Sequence, residues 1–413
     1  MKKTKKVLSL FSGCGGMDLG FEGGFKCLKK SINEFKCSNW IDRTEGEWVY
    51  LKNTNFETVF ANDIRSDAHT AWVNYFYNKR KIDKNIYKLE SIVDLVKKHK
   101  AGQQIFPTDI DIVTGGFPCQ DFSLSGNRQG FNSKKGHDNS KQFNKDENRG
   151  KLYLWMKEVI SIIKPKVFIA ENVKGLVSLD DAKEIIERDF SLAAKEGYIV
   201  IPAKVIQAAN YGVPQSRERI FFFGFKKSSL TKEALIELQK SVISEKFNPY
   251  PSPTHNYNLN DKTLKSFVTS GDAFIELLEP DKTNDISQSK YSKAKLSKGQ
   301  GNTEIKLNNV APTIRSEHHG NIEFRRLSKI NGGKNIDELN AGYEQRRLTI
   351  RECARLQTFP DDYEFIIQKN GNSPSLSASS AYKIIGNAVP CLLAYNIAQN
   401  LNDKWEAYFE NDD

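Results

Sequence analysis

Val7-Leu8-Ser9-Leu10-Phe11 is an apolar run of strand length, and Ser12-Gly13-Cys14-Gly15-Gly16 stops it at once. Residues 17–28 read as the helix that follows, so the chain opens on a strand–turn–helix unit. The unit recurs. Val59-Phe60-Ala61-Asn62-Asp63 is a second short strand ending on an acid, and residues 67–77 carry a helical pattern. Asp111-Ile112-Val113-Thr114 is a third strand, ending in Gly115-Gly116. Residues 152–163 make an amphipathic helix, and Val167-Phe168-Ile169-Ala170 follows as a strand ending at Glu171-Asn172. Residues 198–206 and 220–225 are further strands. This alternation predicts an α/β fold, a doubly wound, mostly parallel sheet with helices on both faces.

The rhythm fades after Phe225. Residues 249–342 are rich in Ser, Asn, Lys, Gly and Pro, and 282–306 approach low complexity. They fit either a disordered linker or a loop-rich second domain. Helical order returns at 349–356 and 392–401.

The 413 residues suffice for one large domain and a smaller one. A net charge of +10 fits a polyanionic partner, although many basic proteins have none. No apolar run of membrane-spanning length occurs, and the first apolar stretch is too short for a secretory signal. Cys14, Cys27, Cys37, Cys119, Cys353 and Cys391 form no C-x-x-C pair, and the histidines offer only the adjacent His318 and His319. No metal site is therefore expected. The cysteines are expected to stay reduced, which points to the cytoplasm.

In a doubly wound sheet, ligands gather at the carboxyl ends of the strands. The turn at 12–16 lets backbone approach a ligand, but its spacing is not G-x-G-x-x-G, and a plain strand-to-helix turn fits equally. Asp63 can accept hydrogen bonds from ribose hydroxyls or cap the next helix. Cys119, after Gly115-Gly116-Phe117-Pro118, stands where a nucleophile would, although a lone cysteine is more often a small buried hydrophobe. Glu171 ends an apolar strand and is either a catalytic acid or a cap. Arg217 and Arg219 would point to one face if both lie on a strand, suiting a phosphate or carboxylate; a solvated edge is the alternative.

Taken in order, six segments resemble the carbon-5 cytosine-specific DNA methyltransferase family of the bacterial restriction-modification type. They are Phe11-Ser12-Gly13-Cys14-Gly15-Gly16; Gly116-Phe117-Pro118-Cys119-Gln120-Asp121-Phe122-Ser123; Glu171-Asn172-Val173; Gln215-Ser216-Arg217-Glu218-Arg219; Arg351-Glu352-Cys353-Ala354-Arg355-Leu356-Gln357-Thr358-Phe359-Pro360; and Gly386-Asn387-Ala388-Val389-Pro390. The resemblance implies the S-adenosylmethionine-dependent methyltransferase fold with a smaller, loop-rich target-recognition domain. It implies a catalytic and cofactor-binding domain at 1–225, a recognition region at 226–345, the end of the small domain at 346–375, and a C-terminal segment, 376–413, returning to the catalytic domain. Phe11, Ser12, Gly13, Cys14, Gly15 and Gly16 would hold S-adenosylmethionine, with Asp63 on the ribose and Ile64 on the adenine. Leu152, Asn387 and Ala388 would complete that pocket. Cys119 would be the nucleophile and Glu171 the acid at the cytosine ring, with Arg217 and Arg219 around a base flipped from the duplex. Double-stranded DNA is the implied substrate. A cognate restriction endonuclease is the implied functional, not physical, partner of a monomeric, nucleoid-associated enzyme.

Three departures stand out. Residues 132–148 look like an insertion whose Lys134, Lys135, Lys141 and Lys145 either contact phosphates or are simply solvated. Residues 31–58 lengthen the link between the first two strands without an assigned role. Glu90 is the one acid near 86–92, and no adenine contact is assigned to it. In the variable region Ala311-Pro312-Thr313-Ile314-Arg315 resembles a short family element, and Arg315, Arg325 and Arg326 are candidates for DNA contacts. Two rival functions are an RNA cytosine methyltransferase and an inactive DNA-binding module. The first is opposed by Glu171 standing where the other class of RNA enzymes carries its cysteine. Intact Cys119, Glu171 and Arg217 oppose the second.

Overall fold

In a computed structural model, residues 3–118, 151–179, 181–256, 261–297, 299–317, 320–368 and 375–410 are described. Cys119, Gln120 and the insertion at 132–148 with its lysines lie outside the described residues.

Seven strands build the main sheet: β1 (Lys5–Leu10), β2 (Phe56–Asp63), β3 (Tyr87–Leu89), β4 (Ile112–Gly116), β5 (Val167–Val173), β6 (Tyr198–Gln207) and β7 (Glu218–Lys226). Their order is β3-β2-β1-β4-β5-β7-β6. The first five run parallel, and β7 runs antiparallel to both β5 and β6. The link between β6 and β7 holds no crossover helix, which an antiparallel pair does not need. The expected sheet is thus observed, with one reversed strand that the apolar pattern did not mark.

The strands read as continuous apolar runs because both faces are covered. Phe221 and Phe223 face one core, which includes Val7, Ile112 and Ile169. Phe222 faces the other, with Leu8, Leu10, Val113 and Phe168. The covering helices include α1 (Gly16–Glu22), α2 (Ser66–Trp72), α3 (Ile92–Lys100), α4 (Leu152–Ile163) and α5 (Ala182–Ser191). α4 buries Leu152, Met156, Val159 and Ile160 along one stripe, and it stops at Lys164, whose φ is 51°, before Pro165.

α1 is shorter than its sequence predicts. Gly23 and Gly24, both at positive φ, end it, and Lys26–Leu28 pairs instead with Trp48–Leu51. With Ile41–Glu45 these form a separate three-stranded antiparallel sheet, which accounts for much of the long link at 31–58.

Residues 227–254 pack on the C-terminal stretch 391–409 as well as on the large sheet, the Thr231 amide donating to the Tyr408 carbonyl at 2.9 Å and the Tyr408 hydroxyl to the Phe247 carbonyl at 3.0 Å. The Tyr250 hydroxyl donates to the Phe221 carbonyl on β7 at 2.9 Å, and that of Tyr211 donates to the Pro251 carbonyl at 2.9 Å. Beyond them, Phe324–Arg326 pairs with Arg346–Arg347 in a small unit rich in buried ion pairs. Glu279 meets Arg326 at 2.5 Å and Arg346 at 3.0 Å, and Arg346 meets Glu352 at 2.9 Å. Arg326 is 1% exposed, and Arg325 pairs with Glu338. Both arginines therefore serve the internal framework of this unit rather than an open surface.

α6 (Ile350–Leu356) starts with a capping box between Thr349 and Glu352. α7 (Ala378–Asn387) packs on α2, and α8 (Cys391–Tyr408) packs on α1. α8 crosses α1 so closely that a side chain on Gly20 would strike Ala394. No helix among the described residues is long and apolar enough to cross a membrane.

Candidate active site

A cavity of about 220 Å³ opens at the carboxyl ends of β1, β2, β4 and β5. The strand order reverses between β1 and β4, so the cavity sits at the switch point of the sheet. Its walls include Phe11, Ser12, Gly13 and Gly16 after β1, Asp63 and Ile64 at the end of β2, and Gly116, Phe117 and Pro118 at the end of β4. Leu152, Glu171 and Arg219 add to them, and Asn387 and Ala388 close it from the C-terminal part of the chain. Phe11 takes a φ of 53°, an unusual conformation for a bulky residue and one that recurs at functional sites.

Asp63 is not the cap of the next helix. Its Oδ2 accepts the Gly13 amide at 3.0 Å and its Oδ1 accepts the Arg65 amide at 2.9 Å, whereas the N-cap position of α2 is Arg65. Burial raises the Asp63 carboxyl above its usual range, and the two amides pull it back. Asp63 thereby ties the glycine turn after β1 to the end of β2.

Glu171 is 8% exposed, and Arg219 Nε lies 3.0 Å from its Oε1. Burial pushes its carboxyl up, and Arg219 followed by Arg217 counters in part. β4 makes room for it, since a Cβ on Gly116 would sit 2.8 Å from Glu171 Oε2. The adjacent Asn172 amide donates to the Phe117 carbonyl at 3.1 Å and so fixes the bend that leads to Cys119.

Three expected site residues are not among those lining the cavity. Arg217 is 1% exposed and precedes β7, so it does not share a strand face with Arg219. Its guanidinium donates to the carbonyls of Ile314, at 3.0 Å, and of Gly386 and Ala388, both at 2.9 Å. Arg217 thus fastens the wall that Asn387 and Ala388 form. Cys14 turns away from the cavity, with its buried thiol toward the Ile384 carbonyl at 3.5 Å. Gly15, at φ 77°, backs onto Trp72 and Phe76, where a Cβ would come within 2.5 Å of a ring carbon. These two residues shape the turn from behind.

The family described as C-5 cytosine-specific DNA methylase matches residues 5–403. The chain belongs to this family. Among its relatives, the Type II methyltransferase M.BspRI of Lysinibacillus sphaericus is 30% identical over 96% of this chain and 81% of its own length. M.BsuRI of Bacillus subtilis is 30% identical over 98% and 81%, and M.FnuDI of Fusobacterium nucleatum 30% over 96% and 94%. The protein is a DNA cytosine-5-methyltransferase of restriction-modification type. The Entamoeba histolytica methyltransferase EhMeth shares the fold at a TM-score of 0.57, with 15% identity over 98% of this chain and 99% of that one. The S. pombe Dnmt2 methyltransferase does so at 0.53, with 16% identity over 97% and 99%.

One wall of this DNA methylase includes Glu90, to which the sequence assigned no contact. Glu90, Ser91 and Ile92 line the cavity. Asn62 holds them there, its side-chain amide donating to the Lys88 carbonyl at 2.9 Å and the Glu90 carbonyl at 2.8 Å. β3 spans three residues, too few for an apolar run, and the bonds end on backbone carbonyls. Glu90, the one acid near 86–92, was the available signal, with Asn62 beside Asp63.

Proposed function

We propose that the enzyme transfers a methyl group from S-adenosylmethionine to carbon 5 of a cytosine flipped out of duplex DNA, through a covalent bond to Cys119. The observation that carries this reading is a single cavity walled by Asp63 and by the Glu171–Arg219 pair, with Pro118, the neighbour of Cys119, on its lining. The residues present suit the cofactor. Asp63 keeps acceptor capacity on both oxygens after the Gly13 and Arg65 amides are counted, which matches the two ribose hydroxyls. Ile64, 41% exposed, offers an apolar face to the adenine. Phe11, Ser12, Gly13, Gly16, Leu152, Asn387 and Ala388 would complete the pocket.

When bound, S-adenosylmethionine supplies an electrophilic methyl group. The chain's task is to make carbon 5 of cytosine nucleophilic. The Cys119 thiolate bonds to carbon 6, which breaks the ring's conjugation and builds electron density at carbon 5 and N3. Glu171, kept protonatable by burial, holds a proton at N3. Arg219 fixes the Glu171 carboxyl and presents a planar donor beside the ring. After methylation, loss of the carbon-5 proton and expulsion of Cys119 restore the ring. Flipping is required because the ring edge is closed inside a stacked duplex.

The recognition region begins, in this reading, near residue 254 rather than 226, because residues 227–254 are bonded to the C-terminal helix and, through Tyr250, to β7. The relatives' designation as Type II methyltransferases supports a cognate endonuclease as functional partner. The test uses tritiated S-adenosylmethionine, mixed-sequence duplex DNA, the wild type and Cys119→Ser. Label transfer by the wild type alone is expected; transfer by both or by neither refutes the mechanism. DNA containing 5-fluorocytosine should trap a denaturation-resistant complex that Cys119→Ala abolishes.

A further inference from the structure

Asp18 lies in α1 beneath the cavity, is 1% exposed, and is not among the residues lining it. Its Oδ1 accepts the Ser9 hydroxyl at 2.6 Å, and its Oδ2 accepts the Trp72 indole N–H at 2.9 Å. The Ser12 hydroxyl has two acceptors, Ser9 Oγ at 2.8 Å and the Ser9 carbonyl at 3.1 Å, and Ser12 Oγ accepts the Asn62 backbone N–H at 3.1 Å. Ser9, Ser12 and Asn62 all line the cavity. One buried carboxyl is therefore linked, through two hydroxyls, to the ends of both β1 and β2.

The protonation state of Asp18 sets the direction of this relay. An ionised carboxylate only accepts, so Ser9 must donate to it. Ser12 then points its hydrogen to Ser9, at Oγ or at the carbonyl, and has one lone pair on the Asn62 amide and one left. A protonated Asp18 has to donate, and it can do so only toward Ser9, because the indole N–H of Trp72 cannot accept. Ser9 then turns its hydrogen to Ser12, whose own hydrogen goes to the Ser9 carbonyl, and the second lone pair of Ser12 is filled.

We propose that Asp18 is a positioning residue for the cofactor, keeping an acceptor on Ser12 open to the donor groups of S-adenosylmethionine. This inference rests on the cofactor reading given above. Burial raises the Asp18 carboxyl to about 6 against the bonds from Ser9 and Trp72, so the relay would reverse in mildly acidic solution. The titratable groups around it are Glu22 on the same helix, Cys14 in the turn, Asp63 of β2, Tyr87 of β3, and Tyr363 and Cys391 from the C-terminal part.

The experiment measures S-adenosylhomocysteine affinity by calorimetry from pH 5 to 8, together with cofactor KM and kcat. In Asp18→Asn the amide oxygen must face Trp72, so its NH2 donates to Ser9 and mimics the protonated acid. Wild-type affinity should fall as pH drops through about 6, and Asp18→Asn should bind about tenfold more weakly with a flatter profile. Its cofactor KM should rise while kcat changes by less than about threefold. Wild-type affinity and pH profile in Asp18→Asn, or a loss confined to kcat, would overturn the proposal. If Asp18→Asn does not fold, Ser12→Ala decides through its pH profile: binding that no longer falls through about pH 6 supports the relay, and a fall as in the wild type refutes it. A wild type that binds no S-adenosylhomocysteine at any pH would overturn the cofactor reading itself, and this inference with it.

Discussion

Replacing Arg217 by alanine removes three hydrogen bonds from one buried cation to the carbonyls of Ile314, Gly386 and Ala388. Hydrogen bonds to charged groups contribute roughly 1.5–3 kcal/mol each, and bonds sharing one partner do not add fully, so the loss is about 4 kcal/mol. An unfolding entropy of about 2.1 cal/mol/K per residue converts that into a fall of about 5 °C in melting midpoint for 413 residues. The damage should not be only global. Two of the three carbonyls flank Asn387 in the cavity wall, so S-adenosylhomocysteine affinity should drop about tenfold. Arg217→Lys keeps the charge but not the planar fork, and it should fall between alanine and wild type on both measures. Scanning calorimetry and titration calorimetry on the three proteins suffice. If Arg217→Ala kept its melting midpoint and cofactor affinity but lost turnover on DNA, the fastening role would be wrong. Arg217 would then act on the target base, as the family resemblance implies.

Three further outcomes follow from the same geometry. Gly116→Ala places a methyl 2.8 Å from Glu171 Oε2, so kcat should fall about 100-fold with little change in melting midpoint; an unchanged kcat would mean that Glu171 is not held where the chemistry needs it. Burial keeps Glu171 protonated to higher pH than an exposed glutamate, so its contribution should be lost as pH rises through that raised value; Glu171→Gln should abolish this limb of the rate profile and lower kcat at least about 100-fold. Glu279 feels burial, which raises it, but the guanidiniums of Arg346 and Arg326 win and hold its carboxyl at about 2. A folded value below the unfolded one gives stability that is complete above the ordinary glutamate range, near 4.5, and lost as pH falls toward 2, about 3 kcal/mol in all. Glu279→Gln should therefore lower urea stability at pH 7, and its deficit should shrink toward zero below about pH 3.

What could be read from the sequence divides along a physical line. β1, β4 and β5 were legible because parallel strands covered on both faces read as near-continuous apolar runs, and their ends were legible because glycines or acids break such a run. Asp63 and Glu171 therefore announced themselves as strand-end acids, and both line one cavity. Illegible features depend on partners that are distant in the chain. Gly15 is small because Trp72 and Phe76 press on it, and the Glu90 wall stands where it does because Asn62 bonds to backbone carbonyls, which carry no side-chain signature. The segment Gln215-Ser216-Arg217-Glu218-Arg219 shows both sides of this line. Residues two apart on a strand share a face, so the two arginines should have pointed together. β7 begins only at Glu218, however, which leaves Arg219 in the ladder opposite Val173, next to Glu171, and Arg217 before it. Outside the ladder, the direction of a long cationic side chain is set by whichever carbonyls the fold brings near. For Arg217 those belong to residues 97, 169 and 171 positions further along, so its role as a fastener existed only once the C-terminal part had closed over the sheet.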